Sequence, residues 1–308
     1  MARYEGVASV RRALSLPDGR ALLDIKPEAL NWQWAQVPAA RARAALAIAL
    51  TAIDGRWKLY ISLPDDPSSN VLEIVGLSRI ADRGEAPVLY QGNQGIGGYD
   101  LLSPLDRIFA FDYDKSGKLD HLALYRPGET YFWILSNRGG AFTPVYQGSG
   151  IGGYDLVSAA DRAFAFDYDS SGKLDHLCLY RPGETYFWIL KNDAGAFSPV
   201  YQGSGIGGYD LASTADRVFA FDYNNVGKLD HLVLYRPGTG TIWILRNNGG
   251  TFAPVYALGA PGTGIRGYNL ADPRDRMLCY DYNSNGFQDN LVLYRPGTGT
   301  VWILNSLN

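Results

Sequence analysis

The sequence predicts a mainly β chain: a four-bladed β-propeller over residues 87–308, closed by an N-terminal strand and preceded by a small α+β domain over residues 1–80. Three observations predict it. One unit recurs four times: an apolar run, an acidic turn with glycine, a second apolar run, Arg-Pro-Gly, a Trp-centred run and an aromatic-x-Pro-Val-Tyr run. The turn-opening residues Asp112, Asp167, Asp222 and Asp281 lie 55, 55 and 59 residues apart, a period typical of propeller blades. Aromatic content of 13%, 36 glycines and only 19% charged residues is the balance of a turn-rich β protein.

Residues 1–80 do not repeat. Glu5–Val10 and Ala21–Lys26 read as strands joined by the turn residues Pro17-Asp18-Gly19. The Ala-rich stretch 38–53 is the one convincing helix, opened by Pro38, closed at Asp54-Gly55, with Leu46, Leu50 and Ile53 on one face. Trp57–Leu63 and Val71–Leu77 alternate as two further strands, and the polar segment 78–86 reads as a linker. One amphipathic helix among strands suggests a helix packed on a sheet or partly open barrel. The helix-Gly-strand stretch is weakly similar to the OB-like subunits of toxin rings; a capping domain for the repeats is the alternative.

Each repeat supplies four strands, in the second copy Arg162–Tyr168, Asp175–Tyr180, Thr185–Leu190 and Phe197–Tyr201. The sequence ends at Asn308, after only the third strand of the fourth copy. The missing strand has a counterpart ahead of the first copy, Ala86-Pro-Val-Leu-Tyr-Gln91, which is expected to complete the last blade and hide its edge. A dimer that exchanges this strand or builds a larger ring is the alternative.

A formal net charge of −3 argues against a nucleic-acid partner, because phosphate binding needs clustered positive charge. Cys178 and Cys279 fall at different repeat positions, so two buried free thiols are expected rather than a disulfide. The first 16 residues lack the basic and long apolar regions of a signal peptide, and the longest apolar stretch, Ala44–Ile53, is too short for a membrane span. A soluble protein of undetermined location is expected.

The acidic turns are candidate metal loops. In the first, Asp112, Asp114, Ser116 and Asp120 place oxygens at positions 1, 3, 5 and 9, with Gly117 at position 6. Alternate positions of such a loop converge on one centre, and a hard cation such as Ca²⁺ takes several oxygen ligands. The second copy offers Asp167, Asp169, Ser171 and Asp175, and the fourth Asp281, Asn283, Asn285 and Asp289. The third thins to Asp222, Asn224 and Asp230, with Val226 at position 5. Blades one and two therefore rank first, four next and three last. An Asx-rich hairpin held by backbone amides is the competing account.

The apolar strand running into D-x-D-x-S-G-x-x-D and a second apolar strand resembles FG-GAP or VCBS repeats. With Gly-Gly-Tyr before it and Trp-Ile-Leu-x-Asn-x-x-Gly-x-Phe-x-Pro after it, the blade is similar to those of PVL-like lectins over residues 87–308. Those lectins usually carry more blades, and this chain has Tyr where they usually have Trp after Gly-Gly. The resemblance implies a propeller that binds glycans.

A sugar site needs an aromatic ring against the C–H face and planar polar groups for hydroxyls. The repeats offer Tyr99, Tyr154, Tyr209 and Tyr268, beside Asp100, Asp155, Asp210 and Asn269, with Arg107, Arg162, Arg217 and Arg276 nearby. Tyr and Arg could equally serve inter-blade packing, and for these arginines that role is favoured. Trp133, Trp188, Trp243 and Trp302 are expected in the core, and Arg126, Arg181, Arg236 and Arg295 at a rim or capping carbonyls. His121, His176 and His231, replaced by Asn290 in the fourth copy, read as structural. The expected function is non-catalytic, multivalent carbohydrate binding with glycans as partners and Ca²⁺ as a structural ion. The alternative is a protein-interaction scaffold or the targeting module of a toxin-like protein.

Overall fold

The computed structural model describes residues 2–27, 33–55, 58–64, 74–78, 88–258 and 263–305. The chain forms two compact units, Met1–Gln91 and Gly92–Asn308.

The first unit contains β1 (Ala2–Ser15), β2 (Ala21–Pro27), β3 (Gln33–Val37), α1 (Ala39–Gly55), β4 (Lys58–Pro64) and β5 (Ile74–Ser78). They make one antiparallel sheet of order β3-β2-β1-β4-β5. The long β1 pairs with β4 through its first half and with β2 through its second, and a bulge near Arg11 separates Val10 from Arg12. The turn into β2 closes as expected, with Leu16 N–H donating to the Arg20 carbonyl at 2.8 Å and Gly19 at φ +82°. Strand β3 is additional to the sequence reading.

The buried face of α1 is not the expected one. Ala42, Ala45 and Ala49 pack into the core with Leu23, Ile25, Leu59 and Ile61, whereas Leu50 is 56% exposed. Small side chains let the helix axis lie close to the sheet, so the alanine stripe faces inward and Leu46 covers only its margin. Ile53 has no described side chain, and the expected linker beyond Ser78 lies outside the described residues.

The second unit consists of antiparallel sheets in up-and-down order, the blade pattern of a propeller. Blade one holds β6 (Arg107–Phe111), β7 (His121–Arg126), β8 (Tyr131–Arg138) and β9 (Ala141–Ser149). Blade two holds β10 (Arg162–Phe166), β11 (His176–Arg181), β12 (Tyr186–Asp193) and β13 (Ala196–Ser204). Blade three holds β14 (Arg217–Phe221), β15 (His231–Arg236), β16 (Thr241–Asn248) and β17 (Thr251–Leu258). The fourth sheet has β18 (Arg276–Tyr280), β19 (Asn290–Arg295) and β20 (Thr300–Leu304). In the first three blades the ladder between the last two strands shifts register where Leu135, Leu190 and Leu245 face Pro144, Pro199 and Pro254. Proline lacks the N–H that a regular ladder requires, so the bulge forms there.

The expected closing strand is not formed over Val88–Gln91. These residues adopt no strand, fall within the first compact unit, and leave Val88 and Leu89 exposed. Ala86 and Pro87 lie outside the described residues. The cores lie between successive sheets: Phe111, Ala123, Phe132 and Ile134 of blade one share a cluster with Leu177, Leu179 and Leu190 of blade two. Burying each of the Phe, Leu and Ile side chains contributes about 1.5–3 kcal/mol. Cys178 is buried and Cys279 half-buried, both free; the latter sits 3.1 Å from Gln288 Oε1.

Candidate functional site

Each blade is entered through Ile-Gly-Gly-Tyr or, in the fourth, Ile-Arg-Gly-Tyr. Ile96 and Tyr99 exchange backbone hydrogen bonds of 2.8 and 2.9 Å across Gly97 and Gly98, whose φ values of +56° and +90° make the tight turn. This turn stands Tyr99 edge-on against Trp133, with centroids 5.6 Å apart and planes at 82°. Tyr154–Trp188, Tyr209–Trp243 and Tyr268–Trp302 repeat the pair at 5.5, 5.9 and 5.8 Å.

Behind each pair lies an ion cluster that the sequence reading missed. Tyr99 Oη donates to Asp106 Oδ1 at 2.7 Å, and Arg126 binds the same carboxylate in two-pronged fashion at 2.8 and 3.0 Å. The guanidinium also pairs with Asp100, reaches Glu129 at 3.3 Å, and lies 5.7 Å from the Tyr99 ring centroid. The other repeats place Asp161, Asp216 and Asp275, all fully buried, under Arg181, Arg236 and Arg295. Burial and the adjoining carboxylate push the Tyr99 and Tyr154 hydroxyls far above their usual range, and Tyr268 up to about 12. Burial alone would raise Asp106 and Asp275, but hydrogen bonds from the arginine and tyrosine outweigh it and hold both below the usual carboxylate range.

The Arg107 series takes the structural role favoured for it, whereas the Arg126 series, expected at a rim or capping carbonyls, reaches the ion cluster. Arg107, Arg162, Arg217 and Arg276 donate to backbone carbonyls of their own turns, such as Pro104 and Ala159. Arg126, Arg181, Arg236 and Arg295 anchor the site. The tryptophans are corrected too: Trp133, Trp188 and Trp243 are half-buried and Trp302 is 42% exposed. The pair spans the same 20-residue interval in every copy, Asp106 to Arg126, Asp161 to Arg181, Asp216 to Arg236 and Asp275 to Arg295, but the other arginine series recurs just as regularly.

Blades one and two open this cluster into pockets. One, of about 300 Å³, is lined by Gly98, Tyr99, Asp100, Arg126, Glu129, Tyr131 and Trp133. Its counterpart, about 330 Å³, is lined by Gly153, Tyr154, Asp155, Arg181, Tyr186, Trp188 and Gln202. Tyr99 and Tyr154 are only 4% exposed and form the wall, while Tyr131 and Tyr186, each 48% exposed, present the accessible aromatic surface. Blades three and four instead carry Thr239 and Thr241, and Thr298 and Thr300, where the first two carry Glu and Tyr. Between Glu and Tyr, Thr130 and Thr185 hold φ +68° and +69°, a strained conformation for a β-branched residue; Gly240 and Gly299 occupy the equivalent positions.

The acidic turns lie at the other ends of the same strands, since β7 runs from His121 to the pocket's Arg126. Both oxygens of Asp112 accept amide hydrogens, from Ser116 at 2.9 Å and Gly117 at 2.8 Å. Asp167, Asp222 and Asp281 are capped in the same way. Burial raises Asp112, and raises Asp167 to about 6. Asp114 and Asp120 converge with His121, and Asp169 and Asp175 with His176, each trio with ligand atoms within 4.8 Å. Ser116 and Ser171 donate their amides to Asp114 and Asp169, and Asn285 donates its side-chain amide to Asp289 at 3.0 Å and its backbone N–H to Asn283 Oδ1 at 3.3 Å. The oxygens of positions 3 and 9 thus gather with a histidine, while position 1 is turned to the backbone. His176 and His231 also bond Asp175 and Asp230 at 2.6 Å.

No protein-family model matches the sequence, and no curated protein matches it. Solved structures similar in outline include a candidate 6-phosphogluconolactonase from Bacteroides uniformis, at 11% identity and TM-score 0.39 over 95% of this chain and 76% of that one. The WD40 domain of Toxoplasma gondii coronin gives 12% and 0.36 over 98% and 84%. The β-propeller domain of Myceliophteria thermophila Cps50 (Swd1) gives 10% and 0.33 over 100% and 90%. With TM-scores this low, the architecture stands on the chain's own sheets: a repeat protein built of propeller-type blades.

Proposed function

We propose that this chain is a non-catalytic, multivalent carbohydrate-binding protein whose principal sites are the pockets of blades one and two. The observation that carries this reading is the pairing, in one preformed pocket, of an accessible Tyr131 or Tyr186 with a fixed arginine between two exposed carboxylates, Asp100 and Glu129 or Asp155 and Glu184. The ring suits the C–H face of a sugar, and alternating acceptors and donors suit neighbouring hydroxyls. Strained Thr130 and Thr185 support it, because such strain collects at ligand sites. The test is a glycan array with the full chain and with Tyr131→Ala/Tyr186→Ala. Sugar binding that disappears in the double variant is expected, and folded wild-type protein that binds no glycan refutes the reading.

A second reading, a protein-docking scaffold, is favoured by the exposed apolar Leu102 and Val157 two residues beyond Asp100 and Asp155. Capture of a protein that free sugars do not displace would select it. For the acidic turns we propose a structural divalent cation, with Ca²⁺ the expected ion and blades one and two the preferred turns. Asp114, Asp120, Asp169 and Asp175 would hold it and the ion would stiffen the turn. Millimolar Ca²⁺ should then raise Tm over an EDTA control, and Asp114→Asn/Asp169→Asn should remove the rise.

A further inference from the structure

The second unit makes one kind of junction three times. The glycine of Arg-Pro-Gly donates to a leucine carbonyl of the following blade: Gly128 to Leu156 at 2.8 Å, Gly183 to Leu211 at 2.9 Å and Gly238 to Leu270 at 2.9 Å. The hydroxyls of Tyr125, Tyr180 and Tyr235 accept from the amides of Ala163, Val218 and Met277 at 2.9, 3.2 and 3.1 Å. The amides of Asp112, Asp167 and Asp222 donate to the carbonyls of Leu174, Leu229 and Gln288 at 3.1, 3.3 and 3.4 Å. Around these bonds the front of one blade is covered by the back of the next, as Phe111 is by Phe197, 6.3 Å between centroids.

Repeat equivalence then gives an internal control for the two terminal faces. On the back of blade one, Leu101 is 40% exposed, whereas Leu156, Leu211 and Leu270 are fully buried. Ile108 is 51% exposed against 7% for Val218 and 8% for Met277. On the front of blade four, Tyr280 is 48% exposed, whereas Phe111, Phe166 and Phe221 are fully buried; Tyr282 and Leu278 are exposed beside it. The two faces are the two halves of a junction that the chain already forms three times, and each is apolar where its equivalents are covered.

We propose that a second copy of this chain docks head to tail on these faces, the back of its blade one against the front of blade four. Continuity with the three internal junctions fixes the register: Gly297 N–H to the partner's Leu101 carbonyl, Tyr294 Oη to the partner's Ile108 amide, and Asp281 N–H to the partner's Leu119 carbonyl. The first of these bonds would pin the loop that carries Asp100, as Gly128 pins the loop that carries Asp155, so the junction completes the support of the first pocket. Such an interface is heterologous, and two copies joined by two identical junctions form a closed ring. The inference does not depend on the identity of any ligand.

The experiment is sedimentation velocity on the full chain, the Ile108→Asp and Tyr280→Asp variants, and their equimolar mixture. Both positions are exposed within one chain, so the variants are expected to fold, which circular dichroism and Tm verify. The wild type should run at twice the chain mass and each variant alone at the monomer mass. In the mixture, the unmodified front of one variant meets the unmodified back of the other, so half of the junctions are restored and a dimer reappears. A wild type that stays monomeric at about 100 μM, or a dimer that both substitutions leave intact, overturns the proposal.

Discussion

Arg181→Gln tests the ion cluster at its most buried copy. The substitution removes both hydrogen bonds from the guanidinium to Asp161, 2.8 and 3.1 Å, and leaves a fully buried carboxylate with only Tyr154 Oη and the Ser158 amide as donors. Breaking a buried pair from one side costs about 3–5 kcal/mol, because the remaining charge is still out of water. At about 2–4 °C per kcal/mol for a unit of this size, Tm should fall by roughly 6–20 °C. Asp161→Asn in the same background removes the stranded charge, so the double variant should be more stable than Arg181→Gln alone. Arg162→Gln is the matched control: that arginine bonds carbonyls of an exposed turn and should cost only about 0.5–1.5 kcal/mol. Urea denaturation and calorimetry measure all four proteins. If Arg181→Gln costs no more than Arg162→Gln, the carboxylate is solvated and the reasoning fails.

Replacing Thr239-Gly240-Thr241 by Glu-Thr-Tyr should build the third pocket, because Gly240 at φ +75° already holds the backbone that Thr185 adopts; titration calorimetry should count one additional glycan site per chain. Thr130→Gly and Thr185→Gly relieve strain of about 1–3 kcal/mol against an entropy cost of about 0.5–1 kcal/mol, so each should leave stability unchanged or raised while sugar affinity falls. A loss of stability in denaturant would argue that the Thr conformation is relaxed. Asp106 and Asp275 have folded-state pKa values below their unfolded value of about 3.9, so their stabilisation is fully present above that pH and lost as pH falls from there through the lower folded-state values. Between about pH 5 and 2, the acid range of carboxylates, Asp106→Asn/Asp275→Asn should show a shallower fall in Tm than the wild type.

What the sequence made legible is whatever its period repeats along one strand. Alternating apolar residues and turn glycines recur at one spacing, and the four sheets follow with bounds close to those expected. Side-chain partnerships across strands are not written in that way. Arg126 meets Asp106 because β6 and β7 pair Arg107 with Tyr125, which sets Asp106, just ahead of β6, beside Arg126, the last residue of β7. Both arginine series recur at the same period, so recurrence alone could not tell which one reaches the carboxylate. The alanine face of α1 has the same origin, since hydrophobicity ranks Leu50 above Ala49 while the distance between helix and sheet ranks them the other way. Closure is not readable from a motif alone either. A matching motif marks residues 86–91 as a possible strand, but a strand also needs an edge to pair with, and Val88–Gln91 adopt no strand. The terminal faces of blades one and four are exposed, so the junction that repeats inside the chain also defines the surface that a second copy would cover.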